Sequence, residues 1–343
     1  MPVQEYKARH DAIADLPLVT ESAVVTDVTR HDRDRREEAR QALERALERR
    51  GLADDYGLDE ATRWDELAEA LRADGHPRLA RQTDALYERV TRPKPMVVDI
   101  SFRIEEEFDY LAGQYVGLKY DGISRAYSLA SAPTEDEADI CVRRVPGGRL
   151  SPRLCEDVEP GDEVTVRGPY GDLTLDKPST HDLVFLATGT GVAPFRGMIN
   201  YVFDTGRDEF EGETRDVWLF LGAAWDDDLP FGREFRALAN EHENFHFVPC
   251  LTREHYLTAW HGESDYVQRA FAKYVERDAV AKAVDRPLGD GFRDAPKVST
   301  DVRIDPDEVD VYACGSNAMV FSLERAAEGV GVPSERIVCE GFG

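Results

Sequence analysis

The sequence has few lysines and no concentrated basic segment. Seven of its 42 basic residues are lysines, and 68 acidic residues give the 343-residue chain a formal net charge of −26. Nucleic-acid binding is therefore not expected, because phosphate contacts require clustered lysine and arginine. The acidic residues are spread along the whole chain, as expected for a halophile protein in molar salt, where charge repulsion is screened over roughly 3 Å.

The sequence also lacks the cysteine pairs of a disulfide framework or an iron–sulfur cluster. None of its five cysteines belongs to a C-x-x-C pair. His242 and His246 are four residues apart, but no third ligand is near, so no metal site is expected. The cysteines are Cys141, Cys155, Cys250, Cys314 and Cys339.

Long hydrophobic runs are missing as well. No segment approaches the roughly 20 apolar residues of a membrane span, and the first residues, MPVQEYKARHD, do not resemble a signal peptide. We therefore expect a cytoplasmic protein, and its length is sufficient for two domains.

A helical block interrupts a β region early in the chain. Residues 22–30 and 96–104 have strand character, and the second segment alternates with period two. Three segments between them place apolar side chains at helical spacing and end at a glycine or before a proline. We therefore predict that residues 31–95 form a helical insertion in the first hairpin of a β domain.

The pattern of secondary structure predicted from the sequence changes near residue 180. Before it, short strands alternate with glycine turns, which is typical of a small antiparallel barrel. After it, apolar runs alternate with amphipathic segments, which is typical of a parallel, three-layer α/β sheet. The prediction is an antiparallel β-barrel domain over 1–178, containing the insertion, and a Rossmann-like α/β domain over 179–343.

The stretch LVFLATGTGVAPFRGMI, residues 183–199, combines an apolar strand, a glycine turn and a helix start. This is the order of a phosphate-binding loop, although a dinucleotide fingerprint would have glycine where Pro194 stands. Ligands of such sheets bind beyond the carboxyl ends of the strands. The turn formed by Thr188, Gly189, Thr190 and Gly191 should therefore lie at the binding edge.

Two segments of the predicted barrel could also bind a nucleotide. Alternation places Arg125 and Tyr127 on one face, a cation for pyrophosphate and an aromatic surface for a flat ring. The alternative is an ordinary strand with a surface arginine and a half-buried tyrosine. Gly147 and Gly148 precede a helix start at Ser151, where free N–H groups favour an anion, unless this is only a capped helix.

Ten motifs follow the order found in the ferredoxin–NADP⁺ reductase family, which the sequence resembles over roughly residues 96–343 and the strand at 22–30. The plant-type branch is the more similar one. The resemblance implies a barrel that binds FAD and a Rossmann-like domain that binds the nicotinamide nucleotide. The motifs are GQY (113–115), RAYS (125–128), CVRR (141–144), LSPRLC (150–155), GPYG (168–171), GTGVAPFRGM (189–198), LFLG (219–222), LTRE (251–254), YACG (312–315) and CEGFG (339–343).

The resemblance implies roles for single residues around FAD. Arg125 would pair with the pyrophosphate, Tyr127 would stack on one isoalloxazine face, and Ser128 would hydrogen-bond near flavin N5, where hydride arrives. Phe342, where plant-type enzymes end in tyrosine, would cover the other flavin face until nicotinamide displaces it. The implied set is completed by Cys141 and Val142 beside the adenosine half, and by Gly147, Gly148 and Ser151 near the pyrophosphate.

Other implied roles concern the nicotinamide nucleotide. The glycines of the 188–191 turn would bring backbone amides to its pyrophosphate, and Pro194 would set the following helix. Cys314 would flank the nicotinamide, and Glu340 would complete the polar groups around N5. From the residues alone, Cys314 would instead be a small core residue and Glu340 a solvent-facing one. Cys155 is expected to be structural, and Asp226–Asp228 is expected to be a halophilic loop surface.

The choice between NADP(H) and NAD(H) depends on which residues are available to bind the 2′-phosphate that only NADP(H) carries. Thr252 and Arg253 supply a hydroxyl and a guanidinium, and Tyr266 stands where the family stacks a tyrosine on adenine. A lysine often found two residues before that tyrosine is Ser264 here. The sequence favours NADP(H), with NAD(H) or dual use as the alternative.

The resulting hypothesis is FAD-dependent electron transfer between NADP(H) and a separate one-electron carrier, with ferredoxin preferred, by hydride transfer at flavin N5. One alternative is an NADH-dependent oxygenase reductase component, or a flavin reductase or diaphorase. Another is an FAD electron-transfer subunit anchored in a larger complex through the insertion. The insertion could dock a partner, shield FAD or pad the barrel.

Overall fold

The computed structural model describes residues 18–59, 62–106, 108–175, 179–276 and 295–342. In these ranges every helix is too short or too polar to cross a lipid bilayer. The fold consists of an antiparallel β domain with a helical insertion and a parallel α/β domain, as the sequence predicts.

The first sheet is an almost closed antiparallel barrel. Its strand order is β4-β3-β6-β1-β2-β5, and a bridge between Leu129, just after β4, and Ile140 of β5 brings the two ends together. Alternate apolar side chains fill its interior, including Val25, Phe102 and Val166. The strands are β1 (Val19–Arg30), β2 (Val97–Ile104), β3 (Tyr115–Tyr120), β4 (Ile123–Ser128), β5 (Ala138–Arg143) and β6 (Glu163–Tyr170).

The predicted helical insertion is present in the first hairpin of the barrel. Strands β1 and β2 pair antiparallel from Ala23 with Ile104 to Arg30 with Val98, with one shift of register between Val25 and Asp27. The two strands therefore pair along their length although the insertion separates them in sequence. The inserted helices are α1 (Arg36–Glu48), α2 (Trp64–Ala73) and α3 (Pro77–Thr91).

The second sheet is parallel and covered by helices on both faces. Phe195 and Phe235 pack on one face, while Phe271 and Leu323 pack on the other. The strand order is β11-β10-β7-β12-β13, so the chain reverses its direction across the sheet between β7 and β12, where open α/β sheets bind ligands. The last strand, β13, was not among the strands predicted from the sequence.

The remaining elements complete the two domains. A six-residue helix, α4 (Ser151–Glu156), lies between β5 and β6, and a small hairpin of β8 (Glu209–Phe210) and β9 (Glu213–Thr214) precedes β10. The parallel strands are β7 (Asp182–Thr188), β10 (Val217–Ala223), β11 (Phe245–Leu251), β12 (Val309–Ser316) and β13 (Ile337–Phe342), and their helices are α5 (Ala193–Asp204), α6 (Gly232–Glu241), α7 (Val267–Tyr274) and α8 (Asn317–Gly329).

The insertion packs on the α/β domain rather than padding the barrel. Its buried leucines, among them Leu43 and Leu86, share one apolar cluster with Trp225 and Leu257, which follow β10 and β11. Within the described residues this cluster contains no barrel side chain. The insertion therefore begins and ends at strands of the barrel, while its apolar side chains pack against residues of the α/β domain.

A buried ionic network joins the insertion to the short turn Asp226–Asp228. Arg35 donates to Glu254 Oε1 at 2.9 Å and to Asp227 Oδ1 at 3.2 Å, and Arg92 donates to Asp228 Oδ2 at 2.8 Å. The expectation that Asp226–Asp228 is a halophilic loop surface is therefore wrong for Asp227 and Asp228. Asp228 is 3% exposed, because the run is the docking site for arginines of the insertion.

Asp227 is the shared acceptor of this network, since Arg89 also donates to it. Burial alone would raise the pKa of the Asp227 carboxyl, but Arg89 and Arg35 hold it below its ordinary value. A carboxylate with a lowered pKa stabilises the folded state at neutral pH, and this contribution is lost as the pH falls through its folded-state pKa.

We predict that Asp227→Asn lowers the free energy of unfolding by about 3–5 kcal/mol, since it leaves the buried Arg89 cation without its counter-ion. Asp226→Asn is the matched control, because Asp226 pairs with Arg236 at 2.5 Å on the surface, where both side chains are at least 40% exposed. It should cost below about 1 kcal/mol. Urea unfolding of the full chain measures both, and equal losses would contradict the role of the buried network.

Candidate functional site

A cleft of about 620 Å³ lies where the barrel meets the carboxyl edge of the parallel sheet. Strand β4 and the 143–151 segment form its barrel side, and the glycine turn and the end of β13 form the other. The lining residues are Tyr115, Arg125, Ala126, Tyr127, Ser128, Cys141, Arg143, Val145, Gly148, Arg149, Leu150, Ser151, Thr190, Ala193, Glu340, Gly341 and Phe342.

Strand β4 presents four consecutive residues, 125–128, to the cleft. Arg125 is exposed, while Tyr127 is half-buried against the barrel core, and burial raises the pKa of its hydroxyl to about 12. Ser128 pairs in register with Tyr115 of β3, whose ring stacks on Tyr170 at 5.5 Å. The cleft therefore has an aromatic floor next to a polar rim.

The 145–151 segment is a tight turn that requires glycine. The Gly148 N–H donates to the Val145 carbonyl at 2.9 Å, and the Val145 N–H donates to Ser151 Oγ at 3.0 Å. A Cβ on Gly148 would lie 2.9 Å from that carbonyl oxygen, and Gly147 has φ +72°. The turn thus brings backbone close to the cleft beside the start of α4.

Three arginines make the cleft locally positive in an acidic protein. Arg125, Arg143 and Arg149 are exposed, line the cleft and form no ion pair with a carboxylate among the residues that the structure describes. Cations on one side and an aromatic surface below them suit a dinucleotide with a pyrophosphate and a flat ring.

The geometry of the glycine turn explains why Pro194 stands where a fingerprint would have glycine. A Cβ on Gly191 would lie 2.5 Å from the carbonyl oxygen of Cys314 in β12, so Gly191 must lack a side chain. Pro194 falls in the first turn of α5, where its fixed φ is favourable and its missing N–H costs no hydrogen bond. Gly189 has φ +53°, which also favours glycine.

Strand β13 brings Glu340 into the site. Cys314 pairs in register with Glu340, and Glu340 lines the cleft together with Phe342, whose ring is 44% exposed. Cys314 itself is buried in the core, and burial followed by the nearby Glu340 charge raises the pKa of its thiol. The Cys314 side chain therefore lies beneath the cleft wall.

Several other predicted residues lie outside the cleft lining. The side chain of Val142 is inside the barrel, next to Cys141, which does line the cleft. Cys155 is in the barrel core as well. Gly147, Thr188 and Gly189 belong to the two turns that border the cleft.

Thr252, Arg253 and Tyr266 lie at another part of the same sheet edge. The Thr252 N–H donates to the Ala223 carbonyl at 3.1 Å, which ties the chain after β11 to the end of β10. Tyr266 immediately precedes α7 and is 58% exposed. Arg253 donates to Glu88 Oε2 of the insertion at 2.6 Å.

Sequence reasoning assigned no role to Tyr115, Arg143, Arg149 or Gly171. A Cβ on Gly171 would lie 2.8 Å from the Tyr115 ring and 3.5 Å from Glu340 Oε1, so these residues meet at the end of the cleft. Pairing the GQY and RAYS motifs as antiparallel strands would have placed Tyr115 opposite Ser128. No sequence pattern distinguishes Arg143 and Arg149 from their neighbour Arg144. Arg144 differs from them in that it forms an ion pair with Glu156.

Comparison with known proteins identifies both halves of the cleft. The FAD-binding domain model of oxidoreductases matches residues 96–175, and the oxidoreductase NAD-binding domain model matches residues 185–325. Both walls of the cleft thus contain residues of known nucleotide-binding domains.

Relatives and solved structures agree with this assignment. The reductase component of phenol 2-monooxygenase from Pseudomonas sp. strain CF600 is 32% identical over 51% of this chain and 49% of that protein. Ferredoxin–NADP reductase B from Sorangium cellulosum is 29% identical over 72% and 92%, respectively. The crystal structure of the Amycolatopsis cytochrome P450 reductase GcoB matches with a TM-score of 0.60 at 22% identity, covering 96% of this chain and 71% of that one, and supports the fold. The chain spans about half the length of several curated relatives it matches.

We predict that Gly191→Ala raises the KM for the nicotinamide coenzyme by about tenfold or more, at unchanged FAD content. The added methyl group would displace the turn that carries Thr190 from β12, and overpacking of this kind costs about 1–3 kcal/mol. Gly57→Ala is the control, because its Cβ would meet only a carbonyl oxygen at 3.7 Å. Coenzyme-dependent flavin reduction measures both, and an unchanged KM in Gly191→Ala would contradict the role of the turn.

Proposed function

Because the chain belongs to the ferredoxin–NADP⁺ reductase family of FAD- and NAD(P)-binding flavoreductases, we propose that it transfers electrons between a nicotinamide nucleotide and a one-electron carrier. NADP(H) is the preferred coenzyme in this proposal, and ferredoxin is the preferred carrier.

One observation carries the proposal. Residues 125–128 of the barrel, Thr190 of the glycine turn and residues 340–342 of β13 line a single cleft. A flavin ring held by the barrel would therefore face a nicotinamide ring held at the carboxyl edge of the parallel sheet. Direct hydride transfer requires such an approach of the two rings.

The barrel side fits FAD. Tyr127 offers a half-buried aromatic face, and Arg125, Arg143 and Arg149 offer positive charge for a pyrophosphate. Gly148 lines the cleft, and a Cβ there would collide with the Val145 carbonyl, so the tight turn beside the cleft requires glycine. When bound, FAD accepts electrons in pairs as hydride and releases them singly, which a nicotinamide cannot do.

The chain's own residues orient the two rings and exclude water between them. We assign Tyr127 to one flavin face and Phe342 to the other, because Phe342 is the exposed aromatic residue among those that line the cleft. Ser128 and Glu340 supply the polar groups beside the reacting edge. Cys314, buried behind Gly191, sets the depth of the nicotinamide pocket through its backbone.

The rest of the coenzyme would extend along the carboxyl edge towards β11. In this proposal the 188–191 turn binds the pyrophosphate, Tyr266 stacks on the adenine, and Thr252 and Arg253 contact the 2′-phosphate. The exposed ring of Tyr266 and the position of Arg253 just after β11 support it.

The electron carrier is proposed to be a separate protein. The five cysteines are scattered in sequence, and the four whose positions are buried lie in three different apolar clusters, so they do not form a ligand set for an iron–sulfur cluster. Similarity to oxygenase reductase components favours a second candidate function, NADH-dependent reduction of an oxygenase system. A flavin reductase and an electron-transfer subunit of a larger complex are the further alternatives.

We predict that Tyr127→Leu weakens FAD binding by roughly tenfold or more, because stacking on an aromatic side chain is worth about 1–3 kcal/mol per base. Tyr87→Leu on α3 is the control, since Tyr87 is an exposed tyrosine of the insertion. Fluorescence titration of the apoprotein with FAD measures both affinities. Equal affinities in the two variants would contradict the assignment of Tyr127 to the flavin.

We predict that NADPH bleaches the visible flavin absorbance of the FAD-loaded protein in an anaerobic titration in molar KCl. Adding an oxidised one-electron carrier should then restore the absorbance. Bleaching by NADH alone would move the assignment to an oxygenase reductase, and bleaching by neither coenzyme would contradict the proposed function.

A further inference from the structure

A solvent-exposed ion pair connects the insertion to the segment proposed to select the coenzyme. Arg253 Nη1 donates to Glu88 Oε2 at 2.6 Å, across 165 positions of sequence. The Arg253 and Glu88 side chains are 39% and 67% exposed, respectively, so a ligand can reach both. The segment around Arg253 is held at the sheet edge by its own backbone, since the Arg253 N–H donates to the Ala224 carbonyl at 3.0 Å.

The position of Glu88 is set by the anchoring of α3 and not by the ion pair. Gln82 Nε2 donates to the Tyr256 carbonyl at 2.9 Å, and Leu86 packs in the same cluster as Leu257. Arg89, the next residue after Glu88, is fully buried against Asp227. An exposed ion pair contributes only about 0–1 kcal/mol, whereas these buried contacts fix the helix that carries Glu88.

We propose that Glu88 of the insertion is a specificity-determining residue that weakens recognition of a 2′-phosphate by Arg253. This inference rests on the proposed function, in which Arg253 contacts the 2′-phosphate of NADP(H). The Glu88 carboxylate accepts a hydrogen bond from one N–H group of the Arg253 guanidinium and places a negative charge beside the proposed 2′-phosphate site.

The electrostatics give the direction of the effect. A phosphate monoester carries close to two negative charges at neutral pH, and strong binding by arginine requires a free pair of N–H donors. A carboxylate already bound to Arg253 removes a donor and repels the phosphate. NAD(H) and AMP have a neutral hydroxyl at the same position, so their binding is insensitive to this charge. Glu88 therefore acts on the ratio between the two coenzymes.

The test compares two nucleotides that differ only in the phosphate. Calorimetric titration of the full chain with 2′-phospho-AMP and with AMP gives a ratio of affinities that does not depend on hydride transfer. We expect Glu88→Gln to raise this ratio roughly three- to tenfold, with the AMP affinity within about twofold of the unsubstituted chain. The ratio of kcat/KM for NADPH over NADH in flavin reduction should rise in parallel.

Asp84→Asn is the matched control. It removes the same charge one helical turn before Glu88, from an exposed ion pair with Arg72 at 2.6 Å within the insertion, and it should leave the affinity ratio unchanged. A rise of similar size in Asp84→Asn and Glu88→Gln would overturn the proposal, because it would show a general charge effect of the insertion.

A double-mutant cycle isolates the contact. Arg253→Gln should lower the affinity ratio more in the Glu88→Gln background than in the unsubstituted chain, because only in that background is the Arg253 donor that Glu88 occupies available to the phosphate. Equal losses in both backgrounds, or no change of the ratio in Glu88→Gln, would overturn the inference. Failure of the proposed function is a separate result: neither coenzyme would then bleach the flavin, while the nucleotide affinities still decide the role of Glu88.

Discussion

Helix α5 approaches the barrel so closely that only glycine fits at Gly197, where a Cβ would lie 2.5 Å from the carbonyl oxygen of Ser131. The residue before it in the same helix, Arg196, donates to Asp139 Oδ2 of the barrel at 2.9 Å and to Glu234 of α6 at 2.8 Å. Burial alone would lower the pKa of Arg196, but these carboxylates raise it. A cation held this way fixes the relative position of both domains, because separating them would break its hydrogen bonds to Asp139 and to the Ala130 carbonyl on the barrel side. The cleft lies beside the start of this helix, where Thr190 and Ala193 face the barrel residues that line it.

The same helix begins directly after the glycine turn, so the domain contact and the nucleotide site share one rigid element. Pro194 starts the helix, and Gly191 holds the preceding turn against β12. A shift of α5 against the barrel would therefore move Thr190 relative to Tyr127. Hydride transfer is sensitive to displacements of this kind, since misplacement by about 1 Å can reduce a rate a hundredfold. Tight interdomain packing is thus part of the chemistry as well as of the stability.

Most of the fold follows from local patterns, and most of the site follows from motifs. The structure confirms the period-two strands, the three amphipathic helices and the change from β to α/β structure near residue 180. These features could be predicted because each depends on the order of apolar residues over a short window. The short strand β13 was missed, since VCEGF contains glycine and little alternation. The burial of Asp227 and Asp228 was also missed. Three consecutive carboxylates indicate a surface unless their partners are known, and these partners lie 136–192 positions away in sequence.

The insertion adds a function-bearing surface without disturbing the hydride-transfer site. Strands β13 and β11 are the opposite edges of the parallel sheet; the cleft lies beside β13, and the insertion docks on the segment after β11, where Arg253 meets Glu88. If Arg253 contacts a 2′-phosphate, as proposed, a charge change on α3 alters that contact while Tyr127 and Thr190 stay in place. The buried arginines hold the helix in place, and the exposed pair costs little to exchange. Coenzyme choice can thus change by surface substitutions, whereas the geometry between the rings is constrained by close packing.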